Sequence, residues 1–293
     1  MLCTRVRLEE KRMIAALGSL GVEVKPFPPS DAPLPIQPLS AAAGSGDVAA
    51  DCVRVVIDRL QERTTASVWL PYWRQNGREM IDGGVAATHD RLAVARLTAE
   101  AGLPRPETAL VMSEACGLNA VDMFEGAATL LPLQTGTREL PLLDRESAEA
   151  ILEHRGVLGE APDSISLMQQ GVATAGNRVT VTTVDGVAVA VEGALADGFS
   201  ITHCARLAEA AARLLGARLL GVSVAEIDGR LVVWDVDPVP GFRAAQPIQT
   251  VTVEAALASL TESLLNATSL AALADHHALT FGEGAGDHVV LSA

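Results

Sequence analysis

Two Asp-Gly dipeptides do most to restrict the fold of this chain. Asp185-Gly186 separates residues 178–184 from 187–192, and Asp228-Gly229 separates 218–226 from 231–237. The flanking segments are β-branched and largely alternating. A two-residue Asp-Gly connection is the turn whose twist matches a pair of antiparallel strands. With a further strand over 164–170, this part of the chain reads as antiparallel sheet. His203 to Leu215 reads as its covering helix, with Leu207, Ala211 and Leu214 inward and a Glu209–Arg213 pair outward. A helix over 251–265 closes the packed part, and the tail after Ala267 has little periodicity.

The N-terminal part has a different rhythm. Leu8, Met13, Leu17 and Leu20 fall at helical spacing before a stop at Gly21, and residues 22–27 alternate as a strand. Residues 28–47 form a surface loop rich in Pro, Ala, Gly and Ser, after which 52–58 resumes as a strand. Such β-α-β order predicts a parallel sheet with helices on its faces. Thr88 is placed to cap a helix that Gly102 ends, with Pro104 beyond it. Next come a strand at 108–112, a helix near 114–124, a strand at 127–133 and a turn at 135–138. A short strand and a helix capped by Asp144, with Gly156 as its stop, complete this unit. The fold class expected is therefore α/β followed by two α+β units.

Composition narrows the partners. The net charge is −14, and the only lysines among 293 residues are Lys11 and Lys25. A nucleic-acid backbone or an anionic membrane would need clustered cations, so neither is an expected partner. No apolar run is long enough to span a bilayer, and the N-terminus lacks an apolar signal region. Cys3, Cys52, Cys116 and Cys204 are scattered singly, which fits a reducing compartment. The expected setting is cytoplasmic.

The stretch from Trp234 to Phe242 carries the strongest chemical signal. Asp235 and Asp237 stand i, i+2 at the end of a strand that Pro238 closes, so both carboxylates point to one face. Paired carboxylates of this kind suit a hard divalent cation such as Mg2+; the competing reading is a solvated strand end. Arg91 sits in a helical first turn, where the dipole disfavours a cation unless an anionic ligand is near.

Five stretches resemble the ATP-grasp superfamily, in particular its carboxylate–amine ligases that add glutamate to a protein C-terminus or to the amino-group carrier of lysine biosynthesis. They are Arg5-Val6-Arg7-Leu8-Glu9-Glu10, His89-Asp90-Arg91 with Ala101 to Thr108, the helix from Ser147 to Gly159, Met168-Gln169-Gln170, and Asp235-Val236-Asp237-Pro238. The likeness runs in order across 1–265. It implies an ATP-grasp fold with an N-terminal α/β (pre-ATP-grasp) domain at 1–86, a small subdomain at 87–170, a large subdomain at 171–267 and an irregular tail at 268–293. It implies ATP and Mg2+ as cofactors, and an acyl phosphate attacked by an amine. Partners would be small carboxylate and amine substrates or a carrier protein, with a homo-oligomer allowed. By this resemblance Asp235 and Asp237 take the place of a Glu-x-Asn metal pair. Gln169, Gln170 and Val172 fall at the adenine-contacting hinge. Thr135, Gly136 and Arg138 fall where the family has a phosphate loop, although the segment itself reads first as an ordinary hairpin turn.

The sequence departs from that pattern chiefly in its cations. Arg91 stands where the family has a nucleotide-contacting lysine, Leu130-Leu131-Pro132 replaces Leu-Lys-Pro, and Ser223 replaces a third carboxylate. Arg138, Arg178 and Arg243 are the arginines that would stand in for a lost lysine. Two functions are therefore compatible with the sequence: a divergent ATP-dependent ligase, or a degenerate homologue that binds a ligand or partner without catalysis.

Overall fold

The computed structural model describes residues 1–31, 53–88, 90–133, 139–158, 165–174, 176–194 and 200–282. The N-terminal unit contains α1 (Leu8–Ser19), β1 (Val55–Ile57), α2 (Arg63–Gln75) and β2 (Glu79–Ile81). β1 and β2 pair in parallel, and Leu2 adds parallel bridges to Phe27 and Asp58. Residues 22–27, expected as a strand, contribute only that bridge at Phe27. Pro26 and Pro28 explain this, since neither offers a ladder donor. Phe27 instead packs edge-on against Trp69 and Trp73 of α2.

The middle unit comprises α3 (Arg91–Glu100), β3 (Thr108–Val111), α4 (Glu114–Met123), β4 (Ala128–Pro132), β5 (Leu140–Leu142), α5 (Arg145–Leu158) and β6 (Ser166–Gln170). Its four strands lie in the order β3-β6-β4-β5, all antiparallel. Antiparallel pairing thus begins earlier in the chain than the sequence suggests. Val121, Phe124, Leu130, Leu142, Leu152 and Met168 form its core. Asp90 rather than Thr88 caps α3, accepting a 2.9 Å bond from the Ala93 N–H. α5 runs through Gly156 to Leu158, because one glycine costs a helix only about 1 kcal/mol.

The C-terminal unit comprises β7 (Arg178–Val184), β8 (Val187–Ala194), α6 (Ile201–Leu214), β9 (Leu219–Ile227), β10 (Arg230–Asp237), β11 (Gln246–Pro247) and α7 (Val253–Gly282). Both Asp-Gly turns form as expected, with positive φ at all four residues. The strands lie in the order β10-β9-β7-β8-β11. The alternation then decides the two faces of this sheet. Val179, Val181, Val222, Val224, Val233 and Val236 pack with Cys204, Ala208, Ala211, Ala212 and Leu215. Each such valine stabilises the fold by roughly 1.5–3 kcal/mol. Their alternates Thr180, Ser223 and Asp235 form a row across the other face.

α7 corrects the reading of the C-terminus. It continues to Gly282, where an irregular tail was expected from 268. No Gly or Pro occurs between Val253 and Phe281, and the Ala- and Leu-rich composition favours helix without an amphipathic period. Among the described residues, no helix is long and apolar enough to cross a membrane.

Candidate functional site

A cavity of about 430 Å3 opens between the two antiparallel sheets. Arg91, Thr129, Glu139, Pro141, Val172 and Ala173 approach it from one side, and Arg178, Asp235, Val236 and Asp237 line the other. A shift in β10 register between Val233 and Asp235 makes this possible. Trp234 is the extra residue of that bulge, and bulges re-aim the side chains beyond them. Past it, Asp235 lies opposite Ser223 and Asp237 opposite Gly221, so both carboxylates share the cavity face.

The end of β10 is clamped. Asp237 Oδ1 accepts a 2.8 Å bond from the Val239 N–H, and Pro240 O accepts one of 2.9 Å from Arg59 Nη1. Burial raises the Asp237 carboxyl above its ordinary value, and the charge of Asp235 adds to this. The Val239 N–H, Arg59 and Arg63 oppose it.

Asp235 is held differently. Arg91 Nη2 donates to its Oδ2 at 2.8 Å and Arg91 Nε to its Oδ1 at 3.3 Å. Arg91 Nη1 donates to Pro132 O at 2.7 Å. The arginine side chain is only 5% exposed and the aspartate 17%. A two-pronged, nearly dry pair of this kind is among the stronger charged contacts a protein makes. Below it, the Thr180 and Ser223 hydroxyls lie 3.3 Å apart. Arg105, whose guanidinium burial depresses, feels the charge of Asp235 as well, and donates to Thr98 Oγ1 at 2.7 Å.

Arg178, one of the three substitute cations, does reach the cleft, where its Nη1 contacts both Glu139 oxygens at 2.9 Å. Trp234 Nε1 donates to the same carboxylate at 3.3 Å. Arg243 is exposed and does not line the cavity, and Arg138, Thr135 and Gly136 lie outside the described residues. Glu139 was not foreseen; its partners are 39 and 95 residues away, and no local pattern marks it.

The hinge separates into three cases. Gln169 is fully buried and donates Nε2 to Trp234 O at 3.2 Å, tying β6 to the bulge. The Gln170 N–H is bonded to Glu107 O and the Gly171 N–H to Ala127 O, while Gly171 O accepts from Thr129 Oγ1. Val172 takes no part in these bonds and lines the cavity. Of the expected site residues, the structure therefore brings Arg91, Val172, Asp235 and Asp237 together, and leaves Gln169 and Gln170 in the sheet behind them.

The two carboxylates that share the cavity face fit the chemistry of one divalent cation. Mg2+ is commonly held by one or two carboxylates, with phosphate oxygens and water completing its shell. Among the described residues no group of three His, Cys, Asp or Glu gathers as a metal cage.

No protein-family model matches the sequence. Solved structures do match the fold. A RimK domain ATP-grasp protein from Sphaerobacter thermophilus superposes with a TM-score of 0.65 at 24% identity, over 83% of this chain and 92% of that one. The ATP-grasp ligase PsnB, complexed with a minimal precursor, Mg and ADP, gives 0.62 at 17% identity, over 90% and 96%. D-alanine–D-alanine ligase from Bacillus anthracis, complexed with ATP, gives 0.58 at 14% identity, over 82% and 85%. The chain has the ATP-grasp fold, a mixed α/β architecture, as the sequence resemblance implies.

Proposed function

We propose that this chain binds ATP as its magnesium complex in the inter-sheet cleft and uses it to join a carboxylate to an amine through an acyl phosphate. The observation that carries the reading is the convergence of Asp235, Asp237 and Arg91 on one cavity between the sheets of an ATP-grasp fold. Charge supports the metal. Among the described residues the lining holds two arginines against three carboxylates, one net negative charge, and neither lysine of the chain contributes to it. A bare triphosphate is repelled by such a wall, whereas a bound Mg2+ reverses its sign. In that complex Asp237 and Asp235 would hold the ion, which supplies charge neutralisation at the transferring phosphoryl group. Arg91 and Arg178 would face the phosphates, and Val172 would border the base. The acid and the amine would come from small molecules or from a peptide or carrier protein.

Changing Asp235→Asn and Asp237→Asn together is expected to abolish Mg-ADP binding, read by calorimetry at a temperature where circular dichroism shows the variant folded, since loss of the Asp235 charge leaves the buried Arg91 unpaired and lowers the melting temperature. Wild-type affinity in the double variant would end this reading of the site.

A second reading has its own support. Both cavity arginines are already paired, Arg91 with Asp235 and Arg178 with Glu139, which suits a homologue that binds a ligand or partner without catalysis. A co-purifying partner whose affinity ignores Mg-ATP would favour it.

A further inference from the structure

We propose that Arg91 is a built-in competitor for the metal: a divalent cation and the Arg91 guanidinium hold Asp235 in turn, and binding one releases the other. The inference rests on the nucleotide reading only for the role of Arg91 after its release, because the competition itself is a property of the cleft alone. Arg91 engages both oxygens of Asp235, taking one lone-pair site on each, and its positive charge opposes a second cation at that carboxylate. Asp237 offers one oxygen already bonded to the Val239 N–H, and the neighbouring hydroxyls of Thr180 and Ser223 lie within hydrogen-bonding distance of each other. Repulsion between two cations on one carboxylate therefore sets the metal against Arg91. An arginine cannot leave by losing its proton, so it departs as a cation. Its contact to the Pro132 carbonyl at 2.7 Å does not involve Asp235 and remains as an anchor. Metal entry thus exchanges one counter-charge on Asp235 for a stronger one and turns the guanidinium from Asp235 toward the anion that arrives with the metal.

The exchange predicts opposite signs for two affinities. With Mn2+ alone as the probe and its free-ion spin-resonance signal as the readout, Arg91→Ala is expected to bind the metal about tenfold more tightly than wild type. At saturating Mn2+, the same variant is expected to bind ADP about tenfold more weakly, because the freed cation is missing. Adding Asp235→Asn to Arg91→Ala should erase the gain in metal affinity. A purely structural role for Arg91 would weaken both affinities together. If Arg91→Ala does not fold, Arg91→Lys tests the same point: lysine keeps the charge without the fork, and an intermediate gain in Mn2+ affinity is expected. Unchanged or weaker Mn2+ binding in a folded Arg91 variant overturns the exchange. A wild-type chain that binds no ADP, with the Mn2+ gain intact, would instead end the nucleotide reading and leave the exchange standing.

Discussion

Arg59→Ala is expected to destabilise the protein by about 3–5 kcal/mol, the cost of leaving a buried charge without its partner. Arg59 joins the N-terminal unit to the end of β10. Its Nε donates to Glu10 Oε1 at 3.0 Å, with both side chains at most 1% exposed. Its Nη1 donates to Pro240 O, and its guanidinium lies 5.3 Å from the centre of the Phe242 ring. Truncation removes the buried donor to Glu10 Oε1 and leaves the Pro240 carbonyl without its partner, while the Arg7 N–H keeps its 2.9 Å bond to Glu10 Oε2. Arg7 also reaches Glu10, at 3.4 Å, but its side chain is 45% exposed and does not replace the buried donor. Burial alone would raise the Glu10 carboxyl; the charge and hydrogen bond of Arg59, with help from Arg7, hold it below its ordinary value. A depressed carboxylate contributes stability that is present above the unfolded pKa and lost as the pH falls through the folded one. The variant should therefore show a flatter acid limb. The check is a double-mutant cycle by urea unfolding with Glu10→Met and Arg59→Met. The pair should cost much less than the two single changes summed, because it removes both charges. Small, additive single effects would show that the contact does not hold the two units together.

Gly84→Ala is expected to cost about 3–4 kcal/mol, although it adds one methyl group. Gly84 has a φ of +58°, and an added Cβ would lie 2.1 Å from the Leu215 carbonyl oxygen and 2.7 Å from Gly216 C. These are backbone atoms, so no side chain can swing aside. The approach is close because the chain leaving β2 runs under the end of α6: the Val85 N–H donates to Leu215 O, and Arg218 N–H and Leu219 N–H both donate to Asp82 O. Gly77→Ala is the matched control. Its φ is +71°, but nothing lies within 4 Å of the added Cβ, so it should cost only about 1 kcal/mol. Equal losses at the two positions, measured by thermal unfolding, would mean that backbone strain alone matters and the close approach does not.

Local signals carried much of the architecture. The Asp-Gly turns, the helix stop at Gly102 and the i, i+2 spacing of Asp235 and Asp237 are short-range features, and each governs backbone within a few residues of itself. What escaped was set by distant contacts or by composition. The Arg91 side chain finds its partner 144 residues away, and Arg178 finds Glu139 across 39. α2 also escaped: Ala66, Trp69, Leu70 and Trp73 fall at helical spacing, but Pro71 inside the segment argues against a helix. Gln169 sits at the expected hinge, yet strand alternation turns its side chain away into the sheet interface. The resemblance pointed to the two carboxylates of β10, but it held no sign that an arginine already occupies one of them.

The most direct test is a calorimetric titration of the intact chain with Mg-ATP. The proposed function predicts saturable heat at a single site, lost when EDTA removes the Mg2+, since the described lining of the cleft is net negative. No heat and no thermal shift at millimolar Mg-ATP would contradict it.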